Sequence, residues 1–492
     1  MGRAARKAAP TAAGPLPIVV DLEGTLLVAD TLDEGMATIV FARPVKLASA
    51  VLALLQGRSA FKTAVAGSQK IDIDALPVRE NLLQWLREQR AQGAALHLVT
   101  SSHQSIADAV ARRFGIFDSA TGSDPDISGD RFHLKGQAKC DHLRQRFPDG
   151  FVYCGDSRTD IPVFLAARAV VLCDPPASAE AAVSEADVAI LARFDSQSLT
   201  PVELFKAFRI HQWSKNVLIF APLFLGHVYT RPEAILSALA GFAILSLLAT
   251  ASYLANDVAD LGPDRHHKTK RLRALASGRL SLRLAFLIAP LLALGAFAAA
   301  LALSPPFAGA LLFYFVLTTL YSWRLKRVPL LDVFVIGTLF TSRIVMGAAV
   351  VGVVQSIWLL SFAMFLFFSL ALAKRHGELL AAADTDGETL YRSRGYRPSD
   401  WPLTLVLGLG SGLVSVVIML LYMTADAEPS GFYRHSERLF AVPAALMLWI
   451  MRVWLLSHRG ELDDDPVVFA LKDKTSLALA GVVALTFVAA VV

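Results

Sequence analysis

Cysteine is scarce in this chain of 492 residues, and its few thiols follow no pattern that points to chemistry. The three cysteines are Cys140, Cys154 and Cys173, and none of their spacings matches that of a metal-binding set. We expect them to be ordinary reduced thiols in the cytosol rather than disulfides or catalytic groups. The cysteine content therefore argues against a disulfide framework and against a thiolate metal site.

A secretory leader and a nucleic-acid motif are lacking as well. The basic residues Arg3, Arg6 and Lys7 are followed by no long apolar run before the strand-like segment Ile18–Asp21, so we expect no signal peptide. The formal net charge of +5 is accompanied by no nucleic-acid-binding motif, and we expect no nucleic acid among the partners. We attribute the excess of basic residues to membrane topology and to phosphate binding.

Long apolar runs are missing from the first 200 residues and abundant after them. Hydrophobic residues make up 54% of the chain and the mean hydropathy is +0.50, which is too high for an ordinary soluble protein. Runs of the roughly 20 apolar residues that cross a bilayer recur about nine times, which predicts an all-α membrane bundle. They lie near residues 217–230, 234–255, 282–302, 306–323, 329–351, 356–373, 402–423, 439–456 and 474–492.

The basic residues predict how these spans are oriented. They concentrate in three of the loops, at Arg265–Arg283, Arg324–Arg327 and Lys374–Arg397. Because loops rich in Lys and Arg stay on the cytoplasmic side, we expect an inner-membrane protein with its amino terminus inside and its carboxyl terminus outside.

An acidic cluster directly follows the second predicted span. Asp257 and Asp260 are three residues apart and Asp260 and Asp264 are four apart, so all three can share one helix face. Such a set of hard oxygen ligands suits Mg²⁺, which also keeps positions for water and phosphate oxygens. The bases that follow could hold phosphate charge that the metal leaves uncompensated. The alternative is a polar loop whose bases only set topology, but this explains the bases and not the spaced acids.

The amino-terminal part places polar groups at the ends of successive predicted strands. Asp21 follows the first strand, Thr100 ends a second, and Asp156 and Asp160 follow a third. Helical stretches lie between these strands, and an open α/β sheet gathers such groups along one edge. The order resembles the haloacid dehalogenase superfamily of phosphatases over most of residues 16–195.

That resemblance implies roles for particular residues. Asp21 would be the nucleophile that forms an aspartyl phosphate and would also contact Mg²⁺ held by Asp156 and Asp160. Thr100 would bind the transferring phosphate. A small helical cap would extend from Ala29 to about Asp74. The cation that neutralises the phosphate would be Lys135 or Lys139.

One position departs from the pattern of this superfamily. The general acid/base, two residues after the nucleophile, is normally Asp, and here it is Glu23. The extra methylene displaces the carboxyl group by roughly an ångström, which can severely reduce the rate. The fold prediction is unaffected, and an inactive domain that serves as a scaffold remains the alternative to an active phosphatase.

The membrane part resembles the UbiA superfamily of intramembrane prenyltransferases over residues 202–492. The resemblance rests on Asn256-Asp257-x-x-Asp260-x-x-x-Asp264 and the number of predicted spans. Further stretches resemble the branch of decaprenyl-phosphate phosphoribosyltransferases. They are Arg209-x-x-Gln212-Trp213-x-Lys215-Asn216, Asp264-Arg265-x-His267-Lys268-x-Lys270-Arg271, Tyr321-Ser322-x-x-Leu325-Lys326-x-x-Pro329-x-x-Asp332 and Ala373-Lys374-Arg375-x-x-Glu378.

The last of these stretches favours that branch. Prenyl-diphosphate transferases usually carry a second Asp-rich motif there, whereas this chain has Lys374, Arg375 and Glu378, with Asp384 and Asp386 in no matching spacing. Cations suit a lipid monophosphate or a sugar phosphate better than a diphosphate already held by magnesium. The predicted substrate-binding residues of the membrane part are Lys215, Asn256, Lys268, Lys270, Arg271, Tyr321, Lys326, Lys374, Arg375 and Glu378.

The resemblance implies transfer of phosphoribose from 5-phosphoribosyl diphosphate (PRPP) to a polyprenyl phosphate at the cytoplasmic face, for a cell-envelope glycan. The domain at 16–195 would then remove the 5-phosphate. We divide the chain into a basic amino terminus (1–15), the dehalogenase-like domain (16–195), a juxtamembrane linker (196–216) and the UbiA-like domain (217–492). A prenyltransferase that uses a prenyl diphosphate and an aromatic or other acceptor is the alternative, and a non-catalytic membrane protein is disfavoured by the spaced acids.

Overall fold

The computed structural model describes residues 15–42, 72–123, 134–196, 198–383, 394–462 and 466–492. The chain divides into two compact units, each built from segments that are distant in sequence. The amino-terminal unit contains Met1–Ala207 and Leu254–Leu287, and the membrane unit contains Phe208–Tyr253 and Ile288–Val492. The acidic cluster at 257–264 and the bases after it therefore belong to the amino-terminal unit.

A six-stranded parallel sheet forms the centre of the amino-terminal unit, in the order β3-β2-β1-β4-β5-β6. Strand β1 lies between β2 and β4, with Ile18 opposite Leu96 on one side and Val152 on the other. The strands are β1 (Ile18–Val20), β2 (Leu96–His103), β3 (Ser119–Ser123), β4 (Val152–Gly155), β5 (Ala169–Cys173) and β6 (Ala189–Phe194). The α/β class predicted for this part is confirmed.

Both faces of the central strands are buried, which explains why these strands are almost continuously apolar. In β1, Ile18 and Val20 belong to the core on one face of the sheet, and Val19 belongs to the core on the other. The helices that alternate with the strands are α1 (Thr31–Ala42), α2 (Glu80–Ala91), α3 (Gln104–Phe114), α4 (Gln137–Arg146), α5 (Ile161–Ala166), α6 (Ala177–Glu185) and α7 (Pro201–Ala207).

The chain order reverses between β1 and β4, and open α/β sheets place their sites at such a reversal, beyond the carboxyl ends of the strands. Asp21 follows β1 and Asp156 follows β4, so both stand at that edge. Most of the predicted cap, residues 43–71, lies outside the described residues. Helix α1 and the 3₁₀ helix Ile73–Ala75 are its described parts.

The rest of the chain is helical, as the apolar runs predict. The helices are α8 (Ala221–Leu225), α9 (Pro232–Ala259), α10 (Leu261–His266), α11 (Leu282–Leu303), α12 (Pro305–Trp323), α13 (Leu331–Val351), α14 (Ile357–Ala383), α15 (Trp401–Tyr422), α16 (Ala441–His458), α17 (Pro466–Lys472) and α18 (Lys474–Val491). Eight of the helices in the described part of the chain are long and apolar enough to cross a membrane, namely α9, α11 to α16 and α18. The chain is a multi-pass membrane protein.

One predicted span is not a single long helix. Residues 217–230 contain the end of the 3₁₀ helix Ile210–Phe220, the short helix α8 and a turn. Gly226 ends α8, and His227 follows with a positive φ of 54°, which a continuous α-helix cannot accommodate. This segment is therefore not a single span-length helix, whereas the predicted helical membrane bundle is confirmed.

Candidate functional site

Three carboxylates meet at the carboxyl edge of the sheet. Oxygens of Asp21, Asp156 and Asp160 all lie within 4.8 Å of one another. The buried ammonium group of Lys139, on α4, lies 2.9 Å from Asp21 Oδ2 and 3.7 Å from Asp160 Oδ1. Hard oxygen donors at this spacing fit a divalent cation such as Mg²⁺.

The structure distinguishes the two lysines that the sequence left as alternatives. Lys139 is only 2% exposed and contacts Asp21 directly, whereas Lys135 is exposed and lines the same cavity. Tyr153, which the sequence analysis missed, donates a hydrogen bond of 2.9 Å to Asp160 Oδ1 and lies 3.0 Å from Lys139 Nζ. Its position inside an apolar strand gave no signal of this role.

The crowding of acids changes their protonation. Burial raises the pKa of Asp21 to about 6, although the Lys139 ammonium opposes the shift. Burial, together with repulsion from Asp21 and Asp160, raises the pKa of Asp156 to about 8. Desolvated carboxylates that repel one another in this way are typical of catalytic and metal-binding centres.

Backbone geometry holds this centre together at Gly24. The residue has φ +74°, and a Cβ atom there would overlap Asp156 Oδ2. Thr25 Oγ1 donates to Asp156 Oδ1 over 3.2 Å. Thr100 is fully buried at the end region of β2, where its Oγ1 accepts a hydrogen bond of 3.1 Å from the amide of Ser102. Thr100 does not line the cavity beside Asp21, whereas its neighbour Ser101 does.

Glu23 is held by the first residue of α1. The amide of Thr31 donates to Glu23 Oε1 over 3.0 Å, and the Thr31 hydroxyl donates to the same oxygen. Glu23 and Asp21 line one cavity of about 350 Å³. The longer side chain is therefore anchored at the start of a helix, beside the predicted nucleophile, and a proton on it would face the cavity.

The second acidic cluster begins where α9 ends. Helix α9 ends at Ala259, Asp260 follows, and Asp264 lies on α10. Pro263 falls in the first turn of α10, where its missing N–H costs nothing. The amides of Asp260 and Asp264 donate to the carbonyls four residues earlier, so the chain keeps a helical path through the motif.

Arg273 joins two of these acids and was not predicted. Its Nη1 donates to Asp264 Oδ2 over 2.6 Å and to Asp257 Oδ1 over 3.3 Å. Burial raises the pKa of Asp264, and Arg273 opposes that shift. Asp257 and Asp264 are both at least nine-tenths buried, while Asp260 is half-buried. Arg273 is thus the counter-charge of two of these acids, and the group of described carboxylates that lies close enough to share a metal ion is Asp21, Asp156 and Asp160 instead.

The predicted bases around this motif differ in exposure. Lys268, Lys270 and Arg271 are exposed, and Asn256 is half-buried on α9. The charge of Lys270 acts on Asp264, whose pKa it lowers. Exposed cations beside a buried acidic set are available to a polyanionic ligand.

The membrane unit contains a buried ionic cluster at the ends of α13 and α14. Arg375 donates to Asp332 Oδ2 over 2.8 Å and to Glu378 Oε2, and the Tyr396 hydroxyl donates to Asp332 Oδ1 over 2.6 Å. Asp332 is fully buried and Arg375 is 3% exposed. Within the described residues, Arg375 Nε has no hydrogen-bond partner, so one buried donor of this cation is left over.

The other predicted cations of the membrane unit are more accessible. Lys374 is exposed, and Lys215, Tyr321 and Lys326 are half-buried. The ammonium group of Lys215 lies 6.0 Å from the centre of the Phe340 ring. The predicted residues Asp384 and Asp386 lie outside the described part of the chain.

Two family descriptions match separate parts of the chain. Residues 217–472 match the UbiA prenyltransferase family, and residues 18–165 match haloacid dehalogenase-like hydrolases. A Sinorhizobium fredii protein called "Uncharacterized protein y4nM" is 43% identical over 96% of this chain and 91% of its own length.

Two further relatives match little more than half of this chain. Nodulation protein NoeC of Azorhizobium caulinodans is 31% identical over 55% of this chain and 88% of its own length. Decaprenyl-phosphate phosphoribosyltransferase of Mycobacterium tuberculosis is 30% identical over 56% of this chain and 89% of its own length. The y4nM protein, by contrast, is similar over both halves of this chain.

Proposed function

Because the chain belongs to the UbiA prenyltransferase family and carries a haloacid dehalogenase-like domain, we propose that it transfers the 5-phosphoribosyl group of PRPP to a polyprenyl phosphate. The observation that carries the proposal is the meeting of two buried acids, Asp257 and Asp264, at Arg273. The exposed cations Lys268, Lys270 and Arg271 lie between Asp264 and Arg273 in the sequence. The similarity to decaprenyl-phosphate phosphoribosyltransferase supports it.

The transfer is a displacement at the anomeric carbon of the ribose. A phosphate oxygen of the lipid attacks C1, the bond between C1 and the diphosphate oxygen breaks, and diphosphate leaves with the electron pair. Lys268, Lys270 and Arg271 bind the phosphates of the donor together with Asn256. These groups lower the activation barrier because they stabilise the negative charge that develops on the departing diphosphate.

Asp257, Asp260 and Asp264 would hold Mg²⁺, because carboxylate oxygens are ligands that this cation prefers and the three residues follow one another along one helical path. Bound there, the cation would neutralise charge on the leaving diphosphate. Arg273 donates to one oxygen of Asp257 and one of Asp264, so a metal ion would bind through the other oxygens or displace the guanidinium.

The acceptor is a lipid monophosphate. Arg375 is oriented by Asp332 and Glu378 and retains a buried donor, Nε, for a ligand oxygen. Lys374 is exposed next to it. With Tyr321 and Lys326, these groups bind the lipid phosphate or the ribose 5-phosphate.

The reaction takes place at the cytoplasmic face of the inner membrane. Loops rich in Lys and Arg stay on the cytoplasmic side, and the bases of this chain concentrate in the loops after α9, α12 and α14. Three span-length helices, α15, α16 and α18, follow the last of these loops, so the carboxyl terminus lies outside.

The amino-terminal site removes the 5-phosphate of the product. Asp21 attacks phosphorus, the bond between phosphorus and the C5 oxygen breaks, and that oxygen takes a proton from Glu23. Water then attacks the aspartyl phosphate, returns a proton to Glu23 and releases inorganic phosphate. Thr100, Lys135 and Lys139 bind the transferring phosphate, and Asp21, Asp156 and Asp160 would hold Mg²⁺, which would neutralise its charge.

The test is mass analysis of the lipid after detergent-purified protein is incubated with Mg²⁺, PRPP and decaprenyl phosphate. We expect a phosphoribosyl lipid, or a ribosyl lipid where the phosphatase also acts. Asp257→Asn abolishes the product, whereas Asp195→Asn, which alters an exposed ion pair with Arg193, does not. An unchanged acceptor, with turnover of a prenyl diphosphate instead, would overturn the proposal in favour of a prenyl-diphosphate transferase.

A further inference from the structure

One wall of the phosphatase cavity comes from the segment that runs from α10 to the first turn of α11. The cavity of about 350 Å³ is lined on one side by Asp21, Asp156 and Lys139. We call the opposite side the interhelix wall; it consists of Arg265, Leu275, Gly278, Leu280, Ser281, Leu282 and Arg283. These residues directly follow the acidic cluster of the transferase motif, so a single short segment serves both candidate sites.

The turn of the wall packs on the base of the cap. Gly278 has φ +75°, and a Cβ atom there would lie 3.1 Å from Val28 and 3.2 Å from Pro77. Val28 and Pro77 are paired, because the amide of Val28 donates to the carbonyl of Pro77 over 3.0 Å. These two residues are where the chain leaves the sheet for the cap and returns from it. The wall is therefore in contact with the hinge of the cap.

A buried ion pair holds the wall to the first cap helix. Arg265 Nη2 and Nη1 donate to the two carboxylate oxygens of Glu34, on α1, over 2.6 and 2.8 Å. The two side chains are only 6% and 7% exposed. Arg265 Nε also donates to the carbonyl of Ala276 over 3.0 Å, so the same guanidinium shapes the wall itself.

A second ion pair closes the rim of the cavity. Arg283, the last residue of the wall, donates to Asp33 Oδ1 over 3.1 Å and to Asp30 Oδ2. Arg283 is 65% exposed, so this pair is accessible to solvent. Glu23 and Glu34 line the same cavity as these two acids, and its positive charge comes from Lys135, Lys139, Arg265 and Arg283.

We propose that the interhelix wall determines the specificity of the phosphatase site, and that the Arg265–Glu34 pair is the latch that holds it in place. This rests on the proposed function, since the substrate admitted is the 5-phosphate of a pentose attached to the lipid. The wall narrows the cavity to the small end of the 300–1,000 Å³ typical of ligand sites. It disfavours soluble phosphomonoesters and positions the lipid-linked one beside Asp21. Arg265 and Glu34 are positioning residues, and neither takes part in bond breaking.

The test compares two substrates in the full-length, detergent-purified protein. One is the phosphoribosyl lipid, and the other is p-nitrophenyl phosphate as a soluble phosphomonoester. Glu34→Gln is expected to raise kcat/KM for p-nitrophenyl phosphate about tenfold and to raise KM for the lipid about tenfold, with kcat for the lipid unchanged. Arg265→Gln has the same effect, and the exchanged pair Glu34→Arg with Arg265→Glu restores both values toward wild type.

Controls separate the latch from general destabilisation. Glu180→Gln breaks an exposed ion pair with Arg193 in the same unit and leaves the kinetic values for both substrates unchanged. Arg283→Gln removes the solvent-accessible pair at the rim of the cavity, so we expect this variant to fold even where a latch variant does not. It should shift kcat/KM for p-nitrophenyl phosphate and KM for the lipid in the same directions as the latch variants. Retention of phosphoribosyl transfer in Glu34→Gln shows that the chain is folded.

The outcomes distinguish this inference from the proposed function. If the lipid is inert in wild type while p-nitrophenyl phosphate hydrolysis rises in the latch variants, the wall stands and the proposed substrate fails. If both substrates change by the same factor, or neither changes, the wall has no role in specificity. Absence of hydrolysis in every variant also overturns the inference, because a wall can select substrates only at an active centre.

Discussion

Arg265 and Glu34 are 231 positions apart in the chain, yet they form a two-point ion pair with nitrogen–oxygen distances of 2.6 and 2.8 Å. The pair joins the segment after the transferase motif to the first helix of the phosphatase cap. Both partners are nearly enclosed by protein, so removing either would leave an uncompensated charge. The pair therefore fixes the segment after the acidic cluster to α1 within the amino-terminal unit.

Arg273 offers a direct test of the transferase motif. Arg273→Gln removes the donor shared by Asp257 and Asp264, and we expect phosphoribosyl transfer to fall about 10- to 100-fold, as for loss of a charged hydrogen bond of about 1.5–3 kcal/mol. Arg279→Gln, in the same loop but paired with Glu203, is the matched control. Initial rates with labelled PRPP measure the effect. A rate within twofold of wild type would remove Arg273 from the site.

The buried cluster in the membrane unit predicts strong energetic coupling. Asp332→Asn leaves Arg375 without its fully buried partner and should cost about 3 kcal/mol or more of stability. Asp332→Asn combined with Arg375→Gln should cost less than the sum of the two single changes. Thermal midpoints of the four proteins in one detergent form the double-mutant cycle. Additive effects would mean that the two side chains act independently.

Glu23 decides whether the amino-terminal domain is a working phosphatase. Glu23→Gln keeps an acceptor for the Thr31 amide but cannot move a proton, so hydrolysis of p-nitrophenyl phosphate should fall about 100-fold or more. The readout is release of p-nitrophenol by the full-length protein. Glu203→Gln, which changes the same residue type away from the cavity, should leave the rate unaltered. A Glu23→Gln protein as active as wild type would assign the proton transfer to another group.

A comparison of Gly24 with Gly93 separates the effect of backbone strain from the effect of a steric clash. Both have positive φ, of 74° and 92°, but a Cβ atom on Gly24 would overlap Asp156, whereas one on Gly93 would meet nothing within 4 Å. Gly24→Ala should therefore abolish phosphatase activity, while Gly93→Ala loses only about 1 kcal/mol of stability. Phosphoribosyl transfer should survive both changes. Equal loss of phosphatase activity in the two variants would contradict this reading of Gly24.

Magnesium binding at the phosphatase site should release a proton. Asp156 has a pKa of about 8, so below that pH the cation must displace its proton. Between pH 6 and 8 the apparent Mg²⁺ affinity should rise about tenfold per pH unit, and above pH 8 it should level off. Calorimetry in two buffers of different ionisation enthalpy, on an Asp257→Asn background, counts the proton. No pH dependence would mean that Asp156 is ionised before the metal binds.

The local sequence pattern predicted the strand-end residues and the membrane helices. The ends of apolar strands predicted Asp21, Thr100, Asp156 and Asp160 as site residues. The sheet brings the three aspartates among them within 4.8 Å of one another. Apolar length predicted the membrane helices, because the thickness of a bilayer requires about 20 residues. It failed at residues 217–230, where composition is apolar but a glycine and a positive φ interrupt the helix. Length and composition do not report such a break.

By itself, the sequence determined the two kinds of fold, the strand-end acids and the acidic cluster after α9, because each depends on residues close together in the chain. Only the tertiary structure decided that Lys139 rather than Lys135 contacts Asp21, that Arg273 joins Asp257 to Asp264, and that Arg265 reaches Glu34. These partners are selected by burial. A charge removed from water must find a counter-charge wherever the fold brings one, and sequence spacing does not encode that choice.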